Sequence, residues 1–296
     1  MAAETGVAET LIENVSDTAF WVAHYRGLEG KRNDALFDDP LAASLAGERG
    51  RRIAQSIPGS FFTSWMVAIR TCIIDDYIRS AIAEGVDAVV NLGAGLDTRP
   101  YRMELPASLV WIEVDYPAVI ALKETQLAHE PPRCQLTRVK LDLADAAARR
   151  AMLADINGRA TKMLILTEGV VPYLTPEDVG SLADDLRALD RAAYWIVDYF
   201  TAEAFKRRRR MFAKKMRNAP FKFYPEDWFA FFAEHGWRCK ELRYIADEAD
   251  RLHRPLRLPI IPKLVMGFMR LYASKERIAA LRKYAGYALL EPASHA

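Results

Sequence analysis

Ala88-Val89-Val90-Asn91-Leu92-Gly93-Ala94-Gly95-Leu96-Asp97-Thr98 is the stretch on which the architecture of this chain turns. Its first five residues form a nearly continuous apolar run, the pattern of a strand covered on both faces. The glycine pair that follows lets the backbone turn tightly and approach a ligand where a Cβ would clash. Taken alone, a glycine pair after a strand is shared by dinucleotide enzymes and by many plain turns. The flanking sequence has to decide.

Further runs of the same kind occur at Leu109–Val114, Leu136–Leu141, Met163–Leu166 and Tyr194–Tyr199, with weaker ones at Glu241–Ile245 and Tyr287–Leu290. Helical patterns lie between them. One covers Pro117–Ala128; another opens at Thr175-Pro176-Glu177-Asp178, a cap residue followed by proline and two acids. Strand and helix in alternation predict a doubly wound parallel sheet, which places ligands at the carboxyl ends of its strands. Two regions fall outside the alternation: the mostly helical residues before 87 and the insertion 201–237. Both are expected to pack over the strand ends. The expected organisation is a disordered N-terminus (1–16) and one domain (17–296). That domain divides into a helical cap (17–86), a cofactor-binding core (87–200), a lid insertion (201–237) and a segment that completes the sheet and helps to cover the substrate (238–296).

The composition suits a sizeable core: of 296 residues, 51% are hydrophobic and 27% charged. A net charge of +2 gives no general attraction to nucleic acid, and no DNA partner is expected. Cys72, Cys134 and Cys239 are too scattered for a disulfide framework or a zinc site, so no metal is expected. The acidic start lacks the basic-then-apolar order of a secretion signal, and no apolar run reaches the roughly 18 residues of a membrane span. A cytoplasmic location is the expectation.

Candidate site residues follow from the strand ends. The second run closes at Asp115, where a carboxylate can accept both hydroxyls of a ribose; the competing role is in capping the helix that Pro117 starts. A dinucleotide turn requires a third glycine at position 98, but Thr98 stands there after Asp97. An acid in that turn opposes a diphosphate and tolerates an amino group, which favours S-adenosylmethionine over a nicotinamide cofactor. The third run ends at Asp142-Leu143. There the acid can accept the exocyclic amine of adenine and the adjacent amide can donate to a ring nitrogen; capping a helix over Ala144–Ala154 is the alternative. Glu168, at the end of the fourth run between apolar neighbours, is costly to bury without a partner, and a cofactor ammonium group would supply one.

One arginine is placed by helix geometry. In the helix around Phe62–Glu84, Ile73, Ile74, Tyr77 and Ala81 share a stripe of about 100°, and Arg70 falls inside it. Arg79 pairs with Asp75 on the opposite, exposed side. A guanidinium on the core stripe needs an anion: the carboxylate of a cofactor or substrate, or else an internal salt bridge or a snorkelling side chain.

Assembled, these residues resemble the leucine carboxyl methyltransferase-like family of class I methyltransferases, which includes protein phosphatase carboxyl methyltransferases and bacterial polyketide carboxyl methyltransferases. The resemblance spans about 17–290. It is carried by Asp34-Ala35-Leu36-Phe37-Asp38-Asp39-Pro40, Ile69-Arg70-Thr71 with Asp75-Asp76, Asn91 to Arg99, Glu113-Val114-Asp115-Tyr116-Pro117 and Thr167-Glu168-Gly169-Val170. It implies an α/β, Rossmann-like, seven-stranded class I methyltransferase sheet with its last strand antiparallel, and S-adenosyl-L-methionine as cofactor. By position, the family's cofactor contacts fall on Arg70, Gly93, Asp115, Asp142, Leu143 and Glu168, with Gly95 in the same turn. A further basic residue near the N-terminus is implied, and Arg26 and Lys31 compete for it. Tyr173 lies where relatives face the transferred methyl group.

A carboxylate acceptor is already a nucleophile, and the chain has no evident His–Asp or Cys–His arrangement, so carboxyl O-methylation is favoured over hydroxyl or phenol methylation, which needs proton removal. The acceptor expected is a small molecule, as in secondary metabolism, free or carrier-bound or lipophilic. Lys206-Arg207-Arg208-Arg209-Arg210 with Lys214, Lys215 and Arg217 reads as a solvated helix face, or as a dock for an acidic carrier domain, RNA or an anionic membrane surface. The apolar stretch 256–269 packs on the sheet or covers a lipophilic substrate. An NAD(P)-dependent oxidoreductase and a non-catalytic RNA- or carrier-binding protein are the rival readings.

Overall fold

A computed structural model describes residues 12–57, 59–212, 216–256 and 274–293. Three helices come first: α1 (Asp17–Glu29), α2 (Pro40–Ser56) and α3 (Ser60–Ala83). The sheet and its helices follow as β1 (Ala88–Leu92), α4 (Arg99–Arg102), β2 (Val110–Asp115), α5 (Pro117–Gln126), β3 (Gln135–Lys140), α6 (Ala146–Asn157), β4 (Met163–Thr167), a 3-10 turn (Val171–Tyr173), α7 (Pro176–Arg187) and β5 (Ala192–Phe200). After these come α8 (Ala202–Phe212), α9 (Trp228–Glu234), β6 (Trp237–Tyr244), α10 (Ile245–Arg251), α11 (Lys275–Arg282) and β7 (Ala285–Pro292).

The seven strands order as β3-β2-β1-β4-β5-β7-β6. All pairings among β1 to β5 are parallel, and β7 runs antiparallel between β5 and β6. This is the class I methyltransferase sheet with its last strand reversed. The winding direction changes between β1 and β4, so the crevice for a ligand opens above the ends of these two strands.

Neighbouring residues of each central strand serve opposite layers, as a period of two requires. Val90, Ile165 and Trp195 pack with α7 and α9 through Leu182 and Phe232; Val89, Leu164 and Ile196 pack with α3 through Ile73 and Tyr77. This double burial made the central runs readable. β6 runs further than the apolar signal because it is an edge strand, with Arg238 and Lys240 among its outward residues. Helix starts obey local chemistry. The hydroxyl of Thr175 accepts from the Asp178 amide in a reciprocal capping box on α7, and Asp39 caps α2 just ahead of Pro40.

The two regions outside the alternation meet each other. Phe205, Met216 and Phe221 of the insertion pack with Trp21 and Ile53 of the helical cap. Ile12 belongs to the same cluster and is buried, so an apolar side chain ties the segment ahead of α1 to the cap. Residues 1–11, Lys214, Lys215 and all of the stretch 256–269 except Leu256 lie outside the described residues.

Candidate active site

The turn after β1 folds back onto β2: the amides of Gly93 and Ala94 both donate to the carbonyl of Val114, at 2.8 and 3.0 Å. Gly93 and Gly95 have φ of +69° and +47°, conformations L side chains rarely adopt. A Cβ at Gly93 would strike Val170, and one at Gly95 would stand 3.1 Å from Ala19 of α1. The glycines therefore serve close packing by the chain itself as well as the turn. Asp115 fastens the turn from below. One of its oxygens accepts from the Gly95 amide at 2.6 Å and the other from the Tyr116 amide at 2.7 Å. Burial raises its pKa despite these bonds. It does not cap α5, whose cap position is Tyr116.

Beside it, Asp142 accepts from the Ala144 amide at 2.9 Å and from the Tyr116 hydroxyl. The capping role considered for it belongs instead to Asp145, which accepts from the amides of Ala147 and Ala148 because α6 starts two residues later than the pattern suggested. Leu143 follows, its carbonyl accepting from Arg149 at 2.6 Å.

Behind the turn lies a chain of alternating buried charges. Arg26 of α1 contacts Asp39 at 2.9 Å and donates to the carbonyl of Leu96. Asp39 accepts from the hydroxyl of Thr98 at 2.6 Å, so the residue standing in place of a third glycine ties the turn to the cap. Asp75 of α3 receives Arg99 and Arg102, each at 2.7 Å. Arg99 also contacts Asp97 at 2.8 Å and Glu168 at 2.7 Å, and Glu168 meets Arg70 at 2.7 Å. Burial works against the charge on Glu168, but Arg70 and Arg99 hold its pKa below the usual value.

The structure adds partners that single positions do not reveal. Glu168 lies between Arg70 and Arg99, at 2.7 Å from each, and Arg70 and Glu168 also line the cavity. The two candidates placed independently are thus each other's partners. Asp97 borders the cavity, yet it already accepts from Asn91 at 2.9 Å and from Arg99. Arg79 pairs with Asp76 at 2.6 Å, while Asp75 is buried, because α4 covers the side of α3 that the helical stripe left exposed.

Arg26, Arg70, Gly93, Gly95, Asp115, Asp142, Leu143, Glu168 and Tyr173 all line one cavity of about 410 Å³ above the crevice. Lys31 is exposed and does not line it, whereas Arg26 does. Tyr173 stacks on Phe221 with ring centroids 5.2 Å apart, and burial raises its pKa. Sequence reasoning missed Arg99, Asp198, Arg208 as an inward-facing residue, and Tyr287. Asp198, at the end of β5, accepts from the Gly169 amide at 2.9 Å and from the Tyr287 hydroxyl, and burial pushes its pKa up to about 6 against the pull of Arg70. The strand-end rule that found Asp115 could have found it too. Among the described residues no histidine or cysteine lines the cavity, and no cluster of His, Cys, Asp and Glu suits a metal ion. No helix among them is long and apolar enough to cross a membrane.

A nucleoside with an amino-acid tail fits this chemistry. A strand-end acid stands beside a glycine turn, a second acid and an adjacent amide lie at the neighbouring strand end, and both cations and acids flank the crevice. A diphosphate would face Asp97 across the same turn.

Comparison with known proteins agrees. The sequence model for leucine carboxyl methyltransferase matches residues 19–187. A Parafrankia sp. (strain EAN1pec) protein, named among the S-adenosyl-L-methionine-dependent methyltransferases, is 30% identical over 261 residues, covering 82% of this chain and 82% of its own. One from Streptomyces avermitilis, named likewise, is 30% identical over 263 residues, covering 82% of this chain and 89% of its own. A crystal structure of a protein from Thermobifida fusca YX described as a methyltransferase superposes with a TM-score of 0.56 at 15% identity, covering 99% of this chain and 100% of the other.

Proposed function

Since this chain belongs to the leucine carboxyl methyltransferase family and is an S-adenosylmethionine-dependent methyltransferase, we propose that it methylates a carboxylate oxygen of a small molecule. The observation that carries this reading is Arg208, a guanidinium that lines the cavity beside the aromatic rings of Phe200 and Phe221. Glu168 is shared between Arg70 and Arg99, and Asp198 accepts from the Gly169 amide and the Tyr287 hydroxyl. A carboxylate acceptor meets a cation in Arg208 and needs no proton removed.

In this reading Asp115 holds the ribose hydroxyls, while Asp142 and the Leu143 amide hold the adenine. Arg70, with Arg26, faces the carboxylate of the amino-acid tail, and Glu168 faces its ammonium group. When bound, S-adenosylmethionine supplies a methyl group already activated on a sulfonium. What remains for the protein is alignment and exclusion of water, which can contribute several kcal/mol. Tyr173 and Phe221, stacked together, wall the acceptor side and fix its approach.

A second reading, methylation of a hydroxyl or phenol, is favoured by one observation: a buried Asp198 with a pKa near 6 is suited to act as a general base at neutral pH. Incubation with matched pairs of an aryl acid and the corresponding aryl alcohol separates the two. Mass spectrometry is expected to show one added CH₂ as a methyl ester on the acid. Ether formation on the alcohol with no ester would replace this reading by the second.

A further inference from the structure

The acceptor half of the cavity has a composition of its own. Away from the glycine turn it is walled by Trp21, Phe62, Met66, Phe200, Met211 and Phe221, contributed by α1, α3, β5, α8 and the segment after α8. Two of these stand at the open side, where Phe62 is 36% and Met211 44% exposed. Phe62 stacks on Trp65 with ring centroids 5.8 Å apart, and apolar side chains grouped at the rim of a cavity suit an apolar guest. The cavity of about 410 Å³ has to take a nucleoside as well. The body of the acceptor must therefore extend outward past Phe62 and Met211.

One side chain of the basic run departs from its neighbours. Lys206, Arg207, Arg209 and Arg210 are exposed on α8, but Arg208 turns into the cavity. Its guanidinium carbon lies 4.6 Å from the centre of the Phe200 ring and 5.1 Å from that of Phe221. Its Nη1 donates to the sulfur of Met66 at 4.0 Å, and the planar fork of a guanidinium matches the two oxygens of a carboxylate.

We propose that the acceptor is an amphiphilic acid whose carboxylate is received by Arg208 and whose apolar body lies between Trp21, Phe62, Met66, Met211 and Phe221 toward the mouth. This rests on the carboxylate reading above and adds to it a substrate class and an anchoring residue. A polar acid of the same charge would set its polar groups against these apolar side chains at a cost. Each methylene buried there should tighten the acceptor about fourfold.

The test uses the full chain, S-adenosylmethionine and straight-chain monocarboxylic acids of increasing length, with succinate and glutarate as polar controls; ester formation is followed by mass spectrometry. KM is expected to fall about fourfold per methylene until the chain clears the rim, with the dicarboxylates poor. Phe62→Ser should flatten that slope. Arg208→Met should raise the acceptor KM about ten- to hundredfold, and Arg208→Lys should recover part of the loss. Calorimetry with S-adenosylhomocysteine should return the same affinity for all three variants, which also verifies that they fold. Dicarboxylates methylated as readily as long monocarboxylates would overturn the apolar acceptor while leaving the carboxylate reading in place. An unmoved KM in Arg208→Met would remove the anchor. Methylation of hydroxyl compounds alone would end both the amphiphilic acid and the carboxylate reading.

Discussion

Replacing Arg99 with methionine keeps most of the side chain's volume and deletes its charge, and the structure says how the three carboxylates around it would respond. Arg99 is 1% exposed and contacts Asp75, Asp97 and Glu168. Asp75 retains Arg102, and Glu168 retains Arg70. Asp97 loses the most: burial alone would raise its pKa, and the charge of Arg99, ahead of Arg26 and Lys123, is what holds it well below the usual carboxylate range. Breaking a buried pair from one side costs about 3–5 kcal/mol; with two of the three acids still partnered, about 3 kcal/mol is expected at pH 7. The pH dependence carries the sharper test. In the wild type the depressed pKa of Asp97 contributes stability that is present above its unfolded value near 4 and lost as pH falls through the folded one. In the variant the buried, less compensated acid is expected to have a raised pKa, so the penalty should be full at neutral pH and shrink as Asp97 is protonated on acidification. Urea unfolding of both proteins at pH 7 and near pH 4.5 measures this. A loss below about 1 kcal/mol, or a penalty that does not change between the two pH values, would refute the role given to Arg99 as the hub of the charge chain.

Asp115→Ala should weaken S-adenosylhomocysteine binding by about 1–3 kcal/mol in calorimetry, through lost ribose bonds and a loosened Gly95 turn; unchanged affinity would remove Asp115 from the site. Gly93→Ala sets a methyl group against Val170 at a positive φ, so a stability loss of about 1–3 kcal/mol is expected in urea unfolding, only partly recovered by adding Val170→Ala, which relieves the clash and not the backbone. Asp198 titrates near 6 in the fold because of burial, above its unfolded value. Its contribution is therefore full at acid pH and lost as pH rises through about 6, and Asp198→Asn should be more stable than the wild type at pH 8 by up to about 2–3 kcal/mol and nearly equal at pH 4.

Much of this was legible in the chain before any coordinates. Strands β1 and β4 are buried on both faces, so their runs are apolar throughout, and the ends of β2, β3 and β4 delivered Asp115, Asp142 and Glu168 by position alone. Arg70 was found because a helix repeats at a fixed angle and a charge on the buried stripe stands out. What could not be read was pairing. Glu168, Arg99 and Arg70 come from three elements far apart in sequence, and an acid that needs a cation looks the same in a sequence as an acid that awaits a ligand's ammonium group. Arg208 was hidden for the opposite reason: in a run of five basic residues, nothing local marks the one whose side chain turns inward to meet Phe200 and Phe221. Asp142 was ambiguous because acids serve strand ends and helix starts alike, and the start of α6 had to be located before Asp145 could take the capping role.

A crystal structure of the protein with S-adenosylhomocysteine addresses the cofactor assignment directly. The ribose hydroxyls should lie on the carboxylate of Asp115, the adenine beside Asp142 and Leu143, and the amino-acid carboxylate toward Arg70 and Arg26. A nucleoside found reversed in the crevice, or bound away from the ends of β1 and β4, would contradict the account.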